Sequence, residues 1–359
     1  MEVVSGEELR APGVLAAAPS ERRLRQAIRS TYIAFAGSGF AFANWAARIP
    51  QVKGHFQLRP SSLGLVLFAI AAGSLVSMPL SGVVISHAGA RRTVAVMSVV
   101  LAIGLAVVAA GYLSGLALVV VGLFTLGLGN GTWDVAMNVH GGAVERQLGR
   151  SIMPRFHAAW SLGTVIGAGI GAIAVALSVP VSAHLGAVAV VVALAIPPST
   201  RWFLPDVDGS PAGGDEDEVP APSRQRARNA LSAWREPRTI AIGAFVLAFA
   251  FAEGTANDWT SVAAIEGYHL PAALGTLTFA TFLAAMTIGR WTSPVLVDRY
   301  GRVLVSRSLA LIAIAGVALF VFGPSVPFAF VGALLWGAGA SVGFPLGMSA
   351  GGDDPVRAP

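Results

Sequence analysis

The sequence contains no cysteine, and only 12% of its 359 residues are charged. The missing cysteine excludes disulfide bonds, thiolate nucleophiles and cysteine-ligated metal sites. Soluble domains carry about 25% charged residues, whereas 55% of this chain is hydrophobic and its mean hydropathy is +0.69. So much apolar surface does not fit around the core of one soluble domain. The composition therefore indicates an integral membrane protein.

Apolar runs of about 18 or more residues recur along the chain, each long enough to cross a hydrocarbon layer of roughly 30 Å. The runs are continuous and do not alternate as barrel strands do, so we predict an all-α polytopic membrane protein. Their Arg, Gly and Pro boundaries predict ten spans, near residues 28–49, 62–85, 93–112, 116–143, 156–178, 180–198, 239–259, 271–292, 303–323 and 325–349.

Basic residues are divided unevenly between the two sets of loops. Twenty fall in the segments on one side, and three, Arg48, Lys53 and Arg59, fall on the other. The positive-inside rule then predicts a multi-pass protein of the cell (inner or plasma) membrane with a cytoplasmic N-terminus. This topology accounts for the net charge of +5. We therefore expect the lipid bilayer and a small-molecule solute as partners, no nucleic acid, and a monomeric protein.

A polar stretch rich in Pro and Gly, from Pro197 to Thr239, interrupts the apolar runs. Its composition predicts a flexible cytoplasmic linker between six spans and four. The predicted organisation is a cytoplasmic tail at 1–27, a six-helix half at 28–198, the linker at 199–238, an incomplete four-helix half at 239–349 and a tail at 350–359.

Two short repeats support this division. "FAFAN" (Phe40 to Asn44) recurs as "FAFAE" (Phe249 to Glu253), 209 residues later. "SHAGARR" has a counterpart in "DRYGRVL", 212 residues later if Gly89 is matched to Gly301. The nearly equal offsets predict two related halves.

The second pair of repeats resembles the loop motif G-x-x-x-D-R-x-G-R-R of the major facilitator superfamily. "GVVISHAGARR" matches it at four positions, Gly82, Gly89, Arg91 and Arg92, and "PVLVDRYGRVL" keeps Asp298, Arg299, Gly301 and Arg302. The resemblance implies that these loops gate the cytoplasmic side, where Asp298 with the two arginines can form charge-assisted bonds. Ser86 stands where the first loop normally has Asp, which predicts a looser latch there.

Within that superfamily, "WDVAMNVHGGAVER" and "GRSIMPRFHAAWSLG" are similar to the branch that contains fucose permease. The resemblance implies two six-helix halves and a central cavity lined by Asp134, Asn138, His157 and Trp160. Arg48 stands where that branch carries a proton-linked Asp, so its two-carboxylate mechanism is not implied. Because the family has twelve helices and this sequence stops soon after the tenth span, we expect a truncated form.

Three polar residues of the fourth span share one helical face, because Asn130, Asp134 and Asn138 are spaced at i, i+4 and i+8. A charged Asp near the centre of a membrane helix costs about 2.5–3.5 kcal/mol. Such a residue normally faces a cavity, where Asp134 can exchange a proton. The alternative is an Asp near the inner end of the helix that pairs with an arginine such as Arg150.

Glu253 and Asn257 form a second polar pair at i, i+4, and the repeat maps them onto Asn44 and Arg48. The resemblance places helices 1, 4, 7 and 10 around the cavity, so all three polar stripes are expected there. An attraction of Arg48 to Glu253 or to Asp134 can alternate between states. Alternatively, Arg48 extends to water from the outer end of its helix.

His140 and His157 lack a partner ligand at i+3 or i+4, so we expect no metal site. Asp258 and Trp259 are predicted at the outer membrane interface. Gly163, Gly167 and Gly171 are spaced by four, which favours a packing face on the fifth helix, although they loosely resemble an antiporter motif.

These features predict a secondary active transporter, a permease or symporter, that moves a small polar, sugar-like solute by alternating access. Asp134 or Glu253 is the candidate for proton coupling, and no cofactor or enzyme activity is expected. One alternative is drug or metabolite efflux through an aromatic cavity that includes Phe40, Phe42, Phe249 and Phe251. Another is a non-transporting membrane sensor or an inactive remnant.

Overall fold

The computed structural model describes residues 20–149, 152–205 and 236–343, whose regular secondary structure is helical. The predicted tail 350–359, most of the N-terminal tail and most of the linker lie outside the described residues. The helices are α1 (Glu21–Ala46), α2 (Ile49–His55), α3 (Pro60–Ser114), α4 (Leu116–Leu148), α5 (Met153–Ala176), α6 (Val181–Ser199), α7 (Pro237–Gly267), α8 (Ala272–Tyr300), α9 (Arg302–Phe322) and α10 (Val326–Ala340).

Within the described residues a helix coincides with each of the ten predicted spans, and α3, with 55 residues, contains two of them. The last part of the tenth span, 344–349, lies outside the described residues. Among the described residues, the seven helices from α3 to α9 are long and apolar enough to cross a membrane. α1 is not apolar enough, because Ser, Gly and Asn lie among its apolar residues. α10 is too short, because its described part has 15 residues. The prediction of an all-α protein is confirmed.

The predicted repeat has a counterpart in the backbone. Gly89 has φ 76° and ψ 158°, and Gly301 has φ 81° and ψ 154°. Positive φ strains residues that carry a Cβ, so glycine suits both positions. Gly89 forms the kink that divides α3 into two long helical segments, and Gly301 turns the chain between α8 and α9. The same rare conformation at the matched positions supports the alignment of the two halves.

The N-terminal half, α1 to α6, is held by close contacts between helices. A Cβ added at Gly163 would overlap the carbonyl oxygen of Ala36, and one at Gly167 would approach that of Phe40 to 2.6 Å. A Cβ added at Gly171 would overlap the Cβ of Ala47, the residue that follows α1. The three glycines therefore let α5 lie directly against α1, which confirms the predicted packing face.

The C-terminal half, α7 to α10, meets the N-terminal half where α5 packs on α8 and where α2 packs on α7. We call the end with loops 86–92, 146–155 and 299–302 the arginine-rich end, and the end with loops 47–59, 177–181 and 267–272 the opposite end. An ion pair between Lys53 and Glu266 joins the halves at the opposite end. At the arginine-rich end His87, Asp298 and Arg299 are exposed. The halves are thus joined in the middle and at the opposite end.

Candidate functional site

Arg290 lies inside α8 and is the one basic residue of the chain that belongs to neither set of loops. Its Nη2 donates to Glu253 Oε2 at 2.9 Å, and its Nη1 donates to Ser161 Oγ at 3.2 Å. The side chains of Arg290 and Glu253 are 15% and 18% exposed. Because Ser161 belongs to α5 and Glu253 to α7, this charge-assisted network connects the two halves near the middle of the molecule.

Two further predicted residues surround this arginine. The Trp160 ring centre lies 5.8 Å from Arg290 Cζ, within the range of a cation–π contact. His157 lies one helical turn before Ser161, edge-on to the Phe35 ring at 5.2 Å, and within electrostatic range of Arg290. The structure therefore brings Glu253, His157 and Trp160 together, although none of them was predicted to contact Arg290.

The polar stripe of α4 forms as predicted, and its members are half-buried. Asn130 Oδ1 accepts a hydrogen bond from Ser38 Oγ at 3.3 Å, which links α4 to α1. Asn138 Nδ2 donates to the Asp134 backbone oxygen at 2.9 Å and approaches Asp134 Oδ1 at 3.4 Å. Among the described residues, Asp134 has no basic partner. Arg150, the alternative partner, lies outside the described residues.

Arg48 has partners that the sequence did not indicate. The residue is 2% exposed. Its Nε donates to His184 Nδ1 at 2.8 Å and its Nη2 donates to the Val179 oxygen at 3.1 Å. His184 Nδ1 is thus an acceptor, so His184 Nε2–H donates to Asn44 Oδ1, 2.9 Å away. Asn44 Nδ2 in turn donates to the Phe40 oxygen at 2.9 Å.

The predicted attraction of Arg48 to Glu253 or Asp134 is therefore wrong for this structure, and so is the alternative that Arg48 reaches water. The physical reason is local: α1 ends at Ala46 and α2 begins at Ile49, so Arg48 leaves the helical register on which the repeat alignment relied. Its side chain lies against α6 and the turn before it, within the N-terminal half. Asn44 belongs to the same network.

Sequence reasoning missed His184 and Arg290. Each is the single ionisable residue inside an apolar span, and such residues are expensive in a membrane and normally have a partner. That rule would have identified both as buried polar residues. It would not have identified their partners, because Arg48 and His184 are 136 residues apart and Glu253 and Arg290 are 37 apart.

The gating loops are exposed at the arginine-rich end, and this includes Gly82, Arg91 and Arg92. Arg299 lies over its neighbour Tyr300, with Cζ 5.2 Å from the ring centre. Within the described ranges Asp298 forms no ion pair, so the expected latch with Arg299 and Arg302 is not formed in this state. The gating role of these loops stays a prediction.

Other predicted residues fall at separate places. His140 is buried and stacks on Phe203 with ring centres 3.7 Å apart, which agrees with a packing role. Asp258 is half-buried and lies nine residues before the end of α7, about 13 Å along the helix axis. Its position at the outer membrane interface stays a prediction. Asn257 Oδ1, beside it, is buried without a hydrogen-bond partner.

The sequence model of the Major Facilitator Superfamily matches residues 31–355. The uncharacterized transporter y4wD of Sinorhizobium fredii (strain NBRC 101917 / NGR234) is 30% identical over 336 residues, which cover 93% of this chain and 85% of that relative. The membrane protein MosC of Rhizobium meliloti is 26% identical over 306 residues, covering 84% of this chain and 70% of MosC.

Solved structures of the same fold are more distant in sequence. The nucleoside transporter NupG superposes with a TM-score of 0.65 at 15% identity, covering 89% of this chain and 81% of NupG. FucP in its outward conformation gives a TM-score of 0.58 at 17% identity, covering 91% and 84%. The family consists of transporters, which are not enzymes, and this confirms the prediction that the chain has no enzyme activity. The chain belongs to the major facilitator superfamily.

Proposed function

We propose that this protein carries a small polar solute across the cell membrane by alternating access, with the arginine-rich end in the cytoplasm. The network of Arg290, Glu253 and Ser161 is the observation that carries this proposal. It lies between the halves, at the midpoint of α7 and on the arginine-rich side of the midpoints of α5 and α8, and combines an ion pair with hydroxyl and aromatic groups. In secondary transporters the solute site lies at such an interface, near the bilayer midplane.

The proposed motion is a rocking of the halves about the contact between α5 and α8. The opposite end is held by Lys53 and Glu266, whereas the gating loops are exposed at the arginine-rich end. This arrangement suits the state that is open to the cytoplasm. Breaking the Lys53–Glu266 pair and closing the gating loops would produce the state open to the other side.

Of the two candidate carboxylates, Asp134 is the better proton carrier. The charge of Glu253 is balanced by Arg290 at 2.9 Å, whereas a charge on Asp134 has no basic partner among the described residues. An uncompensated charge inside a membrane protein favours neutralisation by a proton. We therefore propose that Asp134 exchanges the coupling proton and that Glu253 serves as the counter-ion of Arg290.

The solute class that fits these groups is a hydroxylated small molecule. Asn130 and Asn138 offer amide groups and Trp160 offers an aromatic face, and pockets for sugars and nucleosides use such groups to bind hydroxyls and rings. The structural relatives include a nucleoside transporter, FucP and a D-xylose-proton symporter. These similarities support the choice of test solutes.

Proteoliposome uptake tests the proposal. Purified protein would be assayed with radiolabelled L-fucose, D-xylose and uridine, with and without an acidic exterior, and with empty liposomes as the control. We expect uptake of a hydroxylated solute that the pH gradient accelerates, and loss of that acceleration in Asp134→Asn. Movement of an amphipathic drug such as ethidium with no movement of hydroxylated solutes would favour efflux. The absence of any flux would favour a non-transporting protein.

A further inference from the structure

Asp258 is a carboxylate inside α7 whose charge nothing else in the described protein balances. It is half-buried, and within the described residues no basic group or hydrogen-bond donor contacts it. The other acidic residues of α7 have basic partners, since Glu253 pairs with Arg290 and Glu266 with Lys53. A lone, partly buried carboxylate is costly unless a cation or a proton accompanies it.

The turn of α7 around Asp258 contains three buried oxygens without a hydrogen-bond partner, Asn257 Oδ1, Thr260 Oγ1 and Ser261 Oγ. Thr260 is 1% exposed and Ser261 is 4% exposed. Buried polar groups are normally satisfied, and the amide oxygen of Asn257 can only accept. The amide oxygen of Asn257 therefore needs a donor or a positive ion, and the hydroxyl oxygens of Thr260 and Ser261 are able to accept from, or coordinate, the same group.

A fourth such oxygen, Gln51 Oε1, lies on α2, the short helix that packs against α7. Thus four of the seven unpartnered buried polar atoms in the described residues fall on this one pair of helices. The elements belong to different halves of the molecule. They are also the two elements joined by the Lys53–Glu266 ion pair.

Helix geometry places the residues that carry these oxygens at neighbouring positions on the surface of α7. Asn257 and Ser261 are four residues apart and share one face, and Asp258 and Ser261 are three residues apart on the adjacent face. One carboxylate together with amide and hydroxyl oxygens forms a set of oxygen ligands with a total charge of −1, and such ligands prefer hard cations. Calcium sites generally use several carboxylates, and magnesium keeps several waters. The charge and the ligand type favour a monovalent cation.

We propose that Asp258, Asn257 and Ser261 of α7 bind a sodium ion. α7 packs against α2 of the other half at the opposite end, so we expect binding to favour the state in which that end is closed. The ion would stabilise the closed opposite end together with Lys53 and Glu266. Its role as a coupling ion rests on the proposed transport function, whereas its binding does not.

Thermal unfolding of the purified full chain in detergent tests the site without any solute. Tm would be measured in NaCl, KCl and choline chloride at one ionic strength and one pH. We expect sodium to raise Tm by roughly 2–4 °C over the other two salts. Asp258→Asn and Ser261→Ala should lose this shift. Thr281→Ala, which removes a half-buried hydroxyl from α8, and Asp134→Asn, which removes another half-buried carboxylate, should keep it.

Binding of radioactive sodium to the wild-type protein gives a second measurement that does not depend on the folding of any variant. Saturable binding that potassium does not displace supports the site. Equal Tm values in the three salts, or no saturable binding, would overturn it. If sodium raises Tm but proteoliposomes show no flux, the site stands and the transport function fails. If flux occurs without any sodium effect, the function stands and the site fails.

Discussion

Arg48 and Arg290 are both arginines within the membrane part of the chain, yet their surroundings differ. Arg48 is held inside the N-terminal half by neutral acceptors, His184 and the Val179 oxygen. Arg290 lies between the halves and is paired with a carboxylate and with a hydroxyl of the other half. The first network can brace one rigid half. The second can change partners when the halves move.

This difference separates two kinds of contact. Contacts within the N-terminal half should determine its stability and leave the relative population of open and closed states unchanged. Contacts between the halves should determine that population as well. The chain has no cysteine, so a single introduced cysteine reports accessibility at either end without background labelling. Cysteine accessibility and thermal unfolding together distinguish the two kinds of contact.

The largest effect is expected for Arg290→Gln. It leaves the Glu253 carboxylate buried without a cation, and removing one partner of a buried ion pair costs about 3–5 kcal/mol. The variant should unfold at a clearly lower temperature and should lose uptake. The double variant Arg290→Gln/Glu253→Gln, in which no charge is left unpaired, should recover most of the stability. A double variant no more stable than Arg290→Gln would show that the pair does not carry this energy.

The next effect is expected for His184→Ala, which removes the acceptor of Arg48. A hydrogen bond to a charged group contributes about 1.5–3 kcal/mol, so the free energy of unfolding should fall by that amount. Cysteine accessibility at both ends should be unchanged, because the whole network lies within one half. His87→Ala, at an exposed histidine, is the control and should have little effect on stability. Altered accessibility in His184→Ala would contradict the proposed confinement to one half.

A comparable or smaller loss is expected for Gly163→Ala, since its Cβ would overlap the Ala36 backbone and force α5 away from α1. Overpacking of this kind costs about 1–3 kcal/mol. Gly169→Ala is a matched control on the same helix, where a Cβ would meet nothing within 4 Å. That variant should be neutral or more stable by up to about 1 kcal/mol. Equal Tm values for the two variants would exclude a tight α1–α5 contact.

The smallest effect on stability is expected for Lys53→Met, because the pair with Glu266 is partly exposed, 14% and 51% for the two side chains. Exposed pairs contribute about 0–1 kcal/mol. Even so, a change of this size between two states shifts their ratio several-fold, so labelling near the opposite end should increase. The reversed pair Lys53→Glu/Glu266→Lys should restore the wild-type labelling. Unchanged labelling in Lys53→Met would mean that the pair does not hold that end closed.

Much of the fold could be predicted from the sequence, because long apolar runs and the Gly89 and Gly301 positions depend on local properties of the chain. The polar stripe of Asn130, Asp134 and Asn138 was also predictable, since helical periodicity alone places these residues on one face. The partners of Arg48 were not predictable in the same way. They depend on where α1 ends and on how α6 packs, which are tertiary properties.

The Arg290 network illustrates the same limit. Glu253, His157 and Trp160 were expected near a cavity, but nothing in their spacing indicates a common partner on α8. The approach of α5 to α8 brings these residues together, and that approach is a contact between two halves. Sequence patterns describe each helix face well. They do not specify which faces of the two halves meet.

The most direct test of alternating access is a pair of distance measurements between nitroxide labels in the same protein preparation. One pair would be placed at the exposed positions His87 and Tyr300 of the arginine-rich end, and the other at Leu113 and Leu274 of the opposite end. Each pair would be measured with and without Lys53→Glu. Alternating access predicts that Lys53→Glu lengthens the distance at the opposite end and shortens the distance at the arginine-rich end. A change at one end with none at the other would contradict it.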